Sequence, residues 1–271
     1  MKKFTCLVVL LFTGLTGIYA DQSVNGGTGL FFARKAEVID SGSLDAGAFY
    51  NFTNFRVEET SFPPRNSDNL VTINCGYGLL GYGELGAVIP VLFNSGYQNE
   101  SSIGNISIVG KIALPKKPIA DLLKIGATIV VSAPTSDKDK LLGSGKVNLL
   151  GEANFSLFLQ KWSVHLNFGF KEEDYYYEVA PENGISLKPV VEGSLGFLYN
   201  PVEFIDLVAE LNGKSVKGIT PADEDLFALI GVRLKLLDLV SAQAGVGVGL
   251  PSIIKKANTD FLLNVGVGIK L

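Results

Sequence analysis

The feature that most constrains this chain is a strict alternation of apolar and polar residues, repeated along most of its length. In the clearest stretch, 162–171, the apolar positions are Trp162, Val164, Leu166, Phe168 and Phe170. Residues 241–250 and 260–271 repeat the pattern. A period of two residues separates the two faces of a β-strand, whereas a helix needs a period of 3.6. The sequence therefore predicts an all-β protein.

The same alternation predicts twelve strands. They cover 43–55, 69–79, 82–92, 104–113, 122–132, 146–157, 162–171, 186–199, 204–212, 225–236, 241–250 and 260–271. Most of them have roughly the 9–11 residues that a strand needs to cross a bilayer at a tilt. An even number of antiparallel strands is also typical of bacterial transmembrane barrels.

The connections between these strands alternate in length. The tight ones are 80–81, 158–161, 200–203 and 237–238. The long, polar ones are 56–68, 93–103, 133–145, 172–184, 213–224 and 251–258, and 114–121 is intermediate. Outer-membrane barrels have short periplasmic turns and longer extracellular loops, whereas a soluble sheet has no reason to keep this rhythm. We therefore predict a transmembrane antiparallel β-barrel of about twelve strands.

Aromatic residues provide an independent test, because they collect at both membrane interfaces of such barrels. With both chain termini in the periplasm, two girdles result. The outer one is Tyr50, Phe52, Phe168, Phe170 and Phe261, and the periplasmic one includes Tyr77, Trp162, Phe197, Tyr199 and Phe204. The girdles favour the barrel over an exported soluble β-sandwich, which alternation alone also allows.

Composition excludes two other classes of protein. Hydrophobic residues make up 47% of the 271 positions and charged residues 18%, which is too apolar for a disordered chain. After Ala20, no apolar run approaches the roughly 20 residues of a membrane-spanning helix.

The first twenty residues have the layout of a secretory signal peptide, with Lys2 and Lys3 before an apolar run. Cleavage near Ala20 moves the formal net charge from −4 to −6, which argues against nucleic-acid binding. One cysteine then remains, Cys75, which we expect to be a small buried hydrophobe. We predict a location in the bacterial outer membrane, with membrane lipid and the barrel-assembly machinery as partners.

The predicted organisation has three parts: a signal peptide at 1–20, an N-terminal segment at 21–42 and the barrel at 43–271. The N-terminal segment contains the apolar run 29–32, which precedes the first clear strand. Its role stays open between a lumen plug, a periplasmic collar and an extra pairing segment.

Residues on the polar face of the predicted strands would line a narrow lumen. Their charges nearly cancel, so no ring of one sign indicates ion selectivity, and ion pairs across the lumen could equally close it. Apolar residues such as Leu229 also point inward, which makes the lumen amphiphilic. The candidate lumen residues are Asn105, Lys111, Lys124, Lys146, Glu152, His165, Glu192, Glu210 and Arg233.

These patterns predict a narrow pore or transporter for small, amphiphilic or aromatic molecules. The alternative is a closed structural or surface-interaction barrel that acts through its extracellular loops. The three tyrosines at 175–177 are the candidate contact for that role.

Catalysis has little support. The single histidine, His165, shares a face with Ser163 and Asn167, but side chains two residues apart on a strand project in parallel. We therefore do not expect a nucleophile to converge on its base. No spacing of Cys or His suits a metal, so we predict no enzyme activity, no cofactor and no metal site.

Several short motifs resemble those of a bacterial outer-membrane barrel family. They are Ile103-Gly-Asn-Ile-Ser-Ile-Val-Gly-Lys111, Ser132-Ala-Pro-Thr-Ser-Asp137, Gly143-Ser-Gly145 and Trp162-Ser-Val-His-Leu-Asn-Phe-Gly169. Members of that family are regarded as transporters, some under a phenol-degradation pathway label. The resemblance covers about 100–170 and implies an outer-membrane barrel without implying a substrate. Asn105 stands where the family commonly has Asp, and Ser136 where it has Gly.

Overall fold

In this computed structural model, the described residues are 22–26, 28–55, 67–95, 100–114, 122–136, 146–176, 185–216, 225–237, 239–250 and 259–271. The predicted signal peptide lies outside them. Across the described part, no helix is long and apolar enough to span a membrane.

The described residues form thirteen strands. Their bounds are β1 Leu44–Phe55, β2 Ser67–Leu79, β3 Gly83–Ser95, β4 Glu100–Ile103, β5 Ser107–Ala113, β6 Leu123–Ser132, β7 Asn148–Leu159, β8 Trp162–Tyr176, β9 Ile185–Val202, β10 Ile205–Val216, β11 Asp225–Leu237, β12 Val240–Gly249 and β13 Thr259–Lys270. All pairings between them are antiparallel, and β1 pairs with both β2 and β13, so the sheet closes into a barrel.

The barrel has twelve strand positions, which confirms the sequence prediction. The short strand β4 and strand β5 both pair with β3, so they share one position in the wall. The predicted strand 104–113 is therefore interrupted, because residues 104–106 leave the ladder between β4 and β5.

Pro90 explains this interruption. Val91 pairs with Ile103 and Val88 pairs with Ser107, so the break lies opposite Pro90. The Gly104 N–H donates to the Pro90 carbonyl over 2.8 Å. In an antiparallel pair, the N–H and C=O of one residue point toward the same neighbouring strand. The N–H that Pro90 lacks would therefore have pointed toward residues 104–106, where the ladder is interrupted.

The two ends of the barrel differ. Tight turns at 80–82, 160–161 and 203–204 lie at one end, where Leu44 and Leu271 also exchange two backbone hydrogen bonds of 2.8 and 2.7 Å. We call this the turn end. The strands are joined at the opposite end, the loop end, by 56–66, 96–99, 137–145, 177–184, 217–224 and 251–258, which fall outside the described residues.

Burial alternates along the strands, and most of the apolar side chains of the wall are on the outside. Ile230 and Val267 are exposed, whereas Leu229 and Arg233 point inward and are buried. Cys75 is exposed too, so the expectation that it is buried is wrong. Its apolar strand face forms the outer surface of the barrel and not a core. The β-sandwich alternative is also wrong, because a single sheet closes on itself and its apolar face is not covered by a second sheet.

The interior is occupied by the chain that precedes β1. We call residues 22–26 and 28–40 the inner segment. Its Leu30, Phe31 and Ala33 are fully buried and form a cluster with inward-facing residues of β9, β10, β11 and β13. The larger of the two apolar clusters of the described residues is therefore the contact between the inner segment and the barrel wall, and the smaller one joins Val88, Val109 and Val130 of the wall itself.

Candidate functional site

A single carboxylate holds the turn of the inner segment. Glu210 of β10 is buried and accepts hydrogen bonds from three successive main-chain N–H groups. The donors are Phe31 at 2.8 Å, Phe32 at 3.0 Å and Ala33 at 3.4 Å. Charge-assisted hydrogen bonds of this kind are about twice as strong as neutral ones, so Glu210 is a principal anchor of the turn.

Arg233 of β11 holds the main chain next to this turn. Its buried guanidinium donates through Nη2 to the carbonyl oxygens of Gly29, at 3.1 Å, and Leu30, at 3.0 Å. Gln243 of β12 accepts from the same guanidinium. An anionic and a cationic side chain of the wall thus bind the N–H and C=O groups of residues 29–33.

Asn167 and Glu152 bind the next residue, Arg34. The Asn167 side chain accepts from the Arg34 N–H at 2.9 Å and donates to the Arg34 carbonyl at 2.7 Å. The Arg34 guanidinium forms a buried ion pair with Glu152, with Nη1 and Oε2 3.0 Å apart. It also donates to the carbonyls of Asn25 and Gly26, so it stabilises both the fold of the inner segment and its attachment.

Further contacts are distributed around the barrel. Glu84 of β3 accepts from the Thr28 N–H at 3.1 Å and from its hydroxyl at 2.6 Å, and Lys111 of β5 donates to the Thr28 carbonyl at 3.1 Å. The Ser156 hydroxyl accepts from the Ala36 N–H at 2.8 Å. Two more ion pairs attach the remainder of the segment, between Lys124 and Glu37 and between Lys270 and Asp40.

Glycines in the wall make room for the apolar side chains of the turn. A β-carbon at Gly196 would lie 2.6 Å from Leu30 Cδ1, which is closer than real contacts allow. The Phe31 ring packs in the same way against Gly231 and Gly245. Larger residues at these positions would displace the two side chains.

The structure brings five of the nine sequence candidates onto the inner segment: Lys111, Lys124, Glu152, Glu210 and Arg233. The other four lie elsewhere. Glu192 pairs with Lys171 at 2.7 Å, Lys146 is exposed ahead of β7, Asn105 lies in the break of the wall and His165 is buried. That these nine residues contact a solute stays a prediction.

Two of the four motifs that carry the family resemblance, 103–111 and 132–137, meet at the break, whereas 162–169 lies in β8 and 143–145 falls outside the described residues. The Thr135 hydroxyl donates to the Gly104 carbonyl at 2.7 Å and accepts from the Ile106 N–H at 2.8 Å. The Asn105 side chain accepts from the Ser136 hydroxyl at 2.6 Å and from its N–H at 3.2 Å. These hydrogen bonds join residues 104–106 to residues 135–136 and so stabilise the interruption opposite Pro90.

His165 contradicts one geometric expectation. Its Nε2 lies 2.8 Å from the Ser163 hydroxyl, so side chains two residues apart do converge here, because the imidazole reaches along the strand. Its Nδ1 lies 2.8 Å from the Ser156 hydroxyl, and its ring packs edge-on against Phe158. With a hydroxyl at each nitrogen, the ring has no carboxylate to orient it as a base. The expectation of no catalysis stays a prediction.

Sequence reasoning missed the role of Asn167, Ser156 and Glu84 as anchors of the main chain. The alternation predicts that these side chains point inward, but it does not predict that they bind the inner segment. Hydrogen bonds to main-chain groups require no particular residue types in the segment, so they leave no pattern in its sequence. The available signal was the apolar run 29–32, which belongs to no strand.

Cavities formed by the described residues border the inner segment. A cavity of about 270 Å³ at the loop end includes Asn25 and Phe32 in its wall, and a second, of about 310 Å³, includes Asn25 and Arg34. A cavity of about 250 Å³ at the turn end includes Lys35. The inner segment therefore lies between the cavities at the two ends of the barrel. Burial lowers the pKa of the Lys35 ammonium, whereas the carboxylates of Glu37 and Asp206 raise it.

The predicted girdle residues lie on the outer surface of the barrel, and their position at the membrane interfaces stays a prediction. At the turn end, Trp162 stacks on Tyr199 with 3.9 Å between ring centroids and contacts Phe197 at 4.8 Å. Of the predicted girdle residues, the exposed ones are Tyr50, Tyr77, Trp162, Phe168, Phe170, Phe197, Phe204 and Phe261, and the half-buried ones are Phe52 and Tyr199. Within the described residues, no group of three or more Cys, His, Asp or Glu could hold a metal ion.

The fold matches known outer-membrane barrels. The NanC porin superposes with a TM-score of 0.58 at 7% identity, over 84% of this chain and all of that one. The KdgM porin in complex with disordered oligogalacturonate gives 0.51 at 12% identity, over 84% and 98%. The β domain of the Bordetella autotransporter BrkA also gives 0.51, at 10% identity, over 85% and 99%.

These similarities define the class of fold, a closed twelve-stranded outer-membrane-type barrel. Porins and an autotransporter domain share it, so the fold alone does not choose between their functions. No family model and no curated protein sequence matches the chain.

Proposed function

We propose that this protein is an outer-membrane pore for small molecules. The observation that carries the proposal is a polar interior with cavities at both ends, separated by a segment that does not belong to the wall. The exposed apolar belt suits membrane lipid, and insertion of such a barrel requires the cell's barrel-assembly machinery. The short turns would face the periplasm and the long loops the exterior.

The inner segment acts as a plug in this proposal, rather than as a collar or a pairing strand. Its contacts with the wall are made through side chains; among the described residues, its isolated backbone bridges lie within the segment, and the bridge from Ser41 to Gly78 of the wall lies just beyond it. The strand ladder of the barrel closes without it. Release of the segment would therefore open the lumen while the wall stays intact.

The loop-end cavity supports small, amphiphilic solutes. Phe32 of the inner segment and Phe227 of β11 form an edge-to-face pair with centroids 5.6 Å apart, and Leu262 adds a third apolar side chain. Thr53 and Asn212 supply hydrogen-bonding groups in the same wall. Passage through the lumen requires no catalytic group.

Solute flux through refolded protein tests the proposal. Liposomes that contain the protein should swell faster than empty liposomes in arabinose and in the amphiphilic phenyl glucoside. A form with a dislodged plug, Gly196→Leu, should swell faster still, because its side chain would collide with Leu30. If both forms leave the liposomes as impermeable as empty ones, the pore is refuted. A band that shifts on boiling, in the outer-membrane fraction, tests the location.

One observation favours a second candidate, the closed surface-interaction barrel. The inner segment fills the middle of the lumen with buried polar and apolar contacts. If the segment never leaves, function would reside in the extracellular loops. Swelling by neither form, together with loss of adhesion or binding after deletion of 177–184, would support this candidate.

A further inference from the structure

The barrel recognises the inner segment mainly through its main chain. Between Thr28 and Ala36, the backbone groups that contact the wall bind side chains of six strands. These side chains are Glu84 of β3, Lys111 of β5, Ser156 of β7, Asn167 of β8, Glu210 of β10 and Arg233 of β11. Asn167 binds both the N–H and the C=O of Arg34, as a neighbouring strand would. Such contacts give affinity for a polypeptide of almost any sequence.

Side-chain pockets add selectivity to this main-chain recognition. Leu30 fits against Gly196, Phe31 fits against Gly231 and Gly245, and Arg34 reaches the buried carboxylate of Glu152. Peptide-binding proteins combine the same two elements, with main-chain hydrogen bonds for affinity and pockets for specificity. The fitting sequence has two adjacent apolar residues and an arginine three positions after the second.

The C-terminal end of the occupant is covalently continuous with the wall. Residues 41–43 connect it to β1, and Ser41 and Gly42 are exposed. The charged anchors include both signs, with Glu84, Glu152 and Glu210 against Lys111 and Arg233. Without the occupant, these groups would be hydrated in a lumen of nearly balanced charge. Departure of the segment therefore leaves wall groups of both signs in water, of which Glu152 has lost its Arg34 partner.

We propose that the lumen is a binding site for a linear peptide, and that the inner segment is its displaceable occupant. This inference rests on the proposed plug and identifies its chemistry as that of an exchangeable ligand. A peptide with the same pattern, added from outside, competes for the same anchors.

The test converts the occupant into a separate peptide after folding. A protease site is inserted between Gly42 and Ser43, in the full chain, and cleaved once the barrel has folded. Ser41 and Gly42 are exposed, so a protease can reach the inserted site. A fluorescent peptide with the sequence of residues 22–40 is then added, and its binding is followed by anisotropy in detergent. Saturable binding is expected, competed by the unlabelled peptide and not by a scrambled one.

N-methylated peptides test whether the main chain is what the barrel binds. Methylation of the Phe31 nitrogen removes the donor to Glu210 and keeps every side chain. We expect binding to weaken by about 10- to 100-fold, since a hydrogen bond to a charged group contributes that much. Methylation at Val38, which makes no such contact with a charged anchor, serves as the matched control and should leave binding within about threefold.

Two results would overturn the inference. One is failure of the labelled peptide to enter, both in the cleaved protein and in its Arg34→Met form, in which the original segment should leave faster. The other is equal binding of the authentic, scrambled and Phe31-methylated peptides. Because the assay requires no solute flux, a pore that fails to conduct and a lumen that fails to bind peptide give different results.

Discussion

Replacement of Arg34 by methionine tests how firmly the inner segment is held. The change keeps an unbranched side chain but leaves the Glu152 carboxylate, 3.0 Å away, without its cation. Removal of one member of a buried ion pair costs about 3–5 kcal/mol. Glu152 also borders the loop-end cavity, where water can reach it, so we expect the lower value.

Hydrogen exchange measures this loss locally. The N–H groups of Phe31 and Ala33 bind Glu210, and that of Ala36 binds Ser156, so their exchange requires the segment to leave. A loss of about 3 kcal/mol in closing free energy corresponds to roughly 150-fold faster exchange. The assay is mass spectrometry on protein refolded in detergent, with peptides that cover 28–36.

Lys161→Met is the matched control. It removes the same charge at the turn end, where Lys161 is exposed and, within the described part of the chain, its side chain donates to the Pro201 carbonyl at 3.3 Å. Its exchange at 28–36 should equal that of the parent. The reasoning would be refuted by unchanged exchange in Arg34→Met, or by equal acceleration in the barrel strands, which would mean global destabilisation.

Three other experiments have definite expected outcomes. Gly196→Leu should raise solute flux, while Gly151→Leu should not, because a β-carbon at Gly151 meets no atom within 4 Å. Trp162 fluorescence should be quenched by lipids brominated near the headgroup more than by lipids brominated at the chain end; the reverse order would remove it from the interface. Thr135→Val should lower the free energy of unfolding by about 1 kcal/mol, measured in urea, through loss of its contacts with Gly104 and Ile106. An unchanged midpoint would show that these contacts do not support the break.

The sequence predicted the wall well, and the reason is physical. Lipid and lumen impose opposite chemistry on alternate residues, so each strand carries its orientation in its own pattern. Even the placement of Leu229 inside and Ile230 outside follows from this alternation. The discontinuity at 104–106 was not predicted, because its cause, Pro90, belongs to the neighbouring strand.

The inner segment was less predictable. Its apolar run was visible, but the interaction of Glu210 with three N–H groups of a distant turn depends on backbone geometry and on no residue pattern. The contact of His165 with Ser163 was misjudged for a related reason, since strand geometry fixes where a side chain starts and not how far a ring reaches. Residue types thus predicted which face of each strand points inward but not which part of the chain fills the lumen.

A reversible disulfide between the inner segment and the wall tests the central claim most directly. The Ala33 β-carbon lies 3.3 Å from where a β-carbon at Gly196 would be, close to the roughly 3.5–4.5 Å of a disulfide. Ala33→Cys/Gly196→Cys is made in a Cys75→Ser background and recorded in a planar bilayer. A cysteine at 196 crowds Leu30 by itself, so the two redox states of the same protein are compared. The account predicts conductance in the reduced protein that disappears on oxidation, while neither Ala33→Cys nor Gly196→Cys alone responds to the oxidant. Equal conductance in both redox states would contradict gating by the inner segment, and silence in both states would contradict the pore.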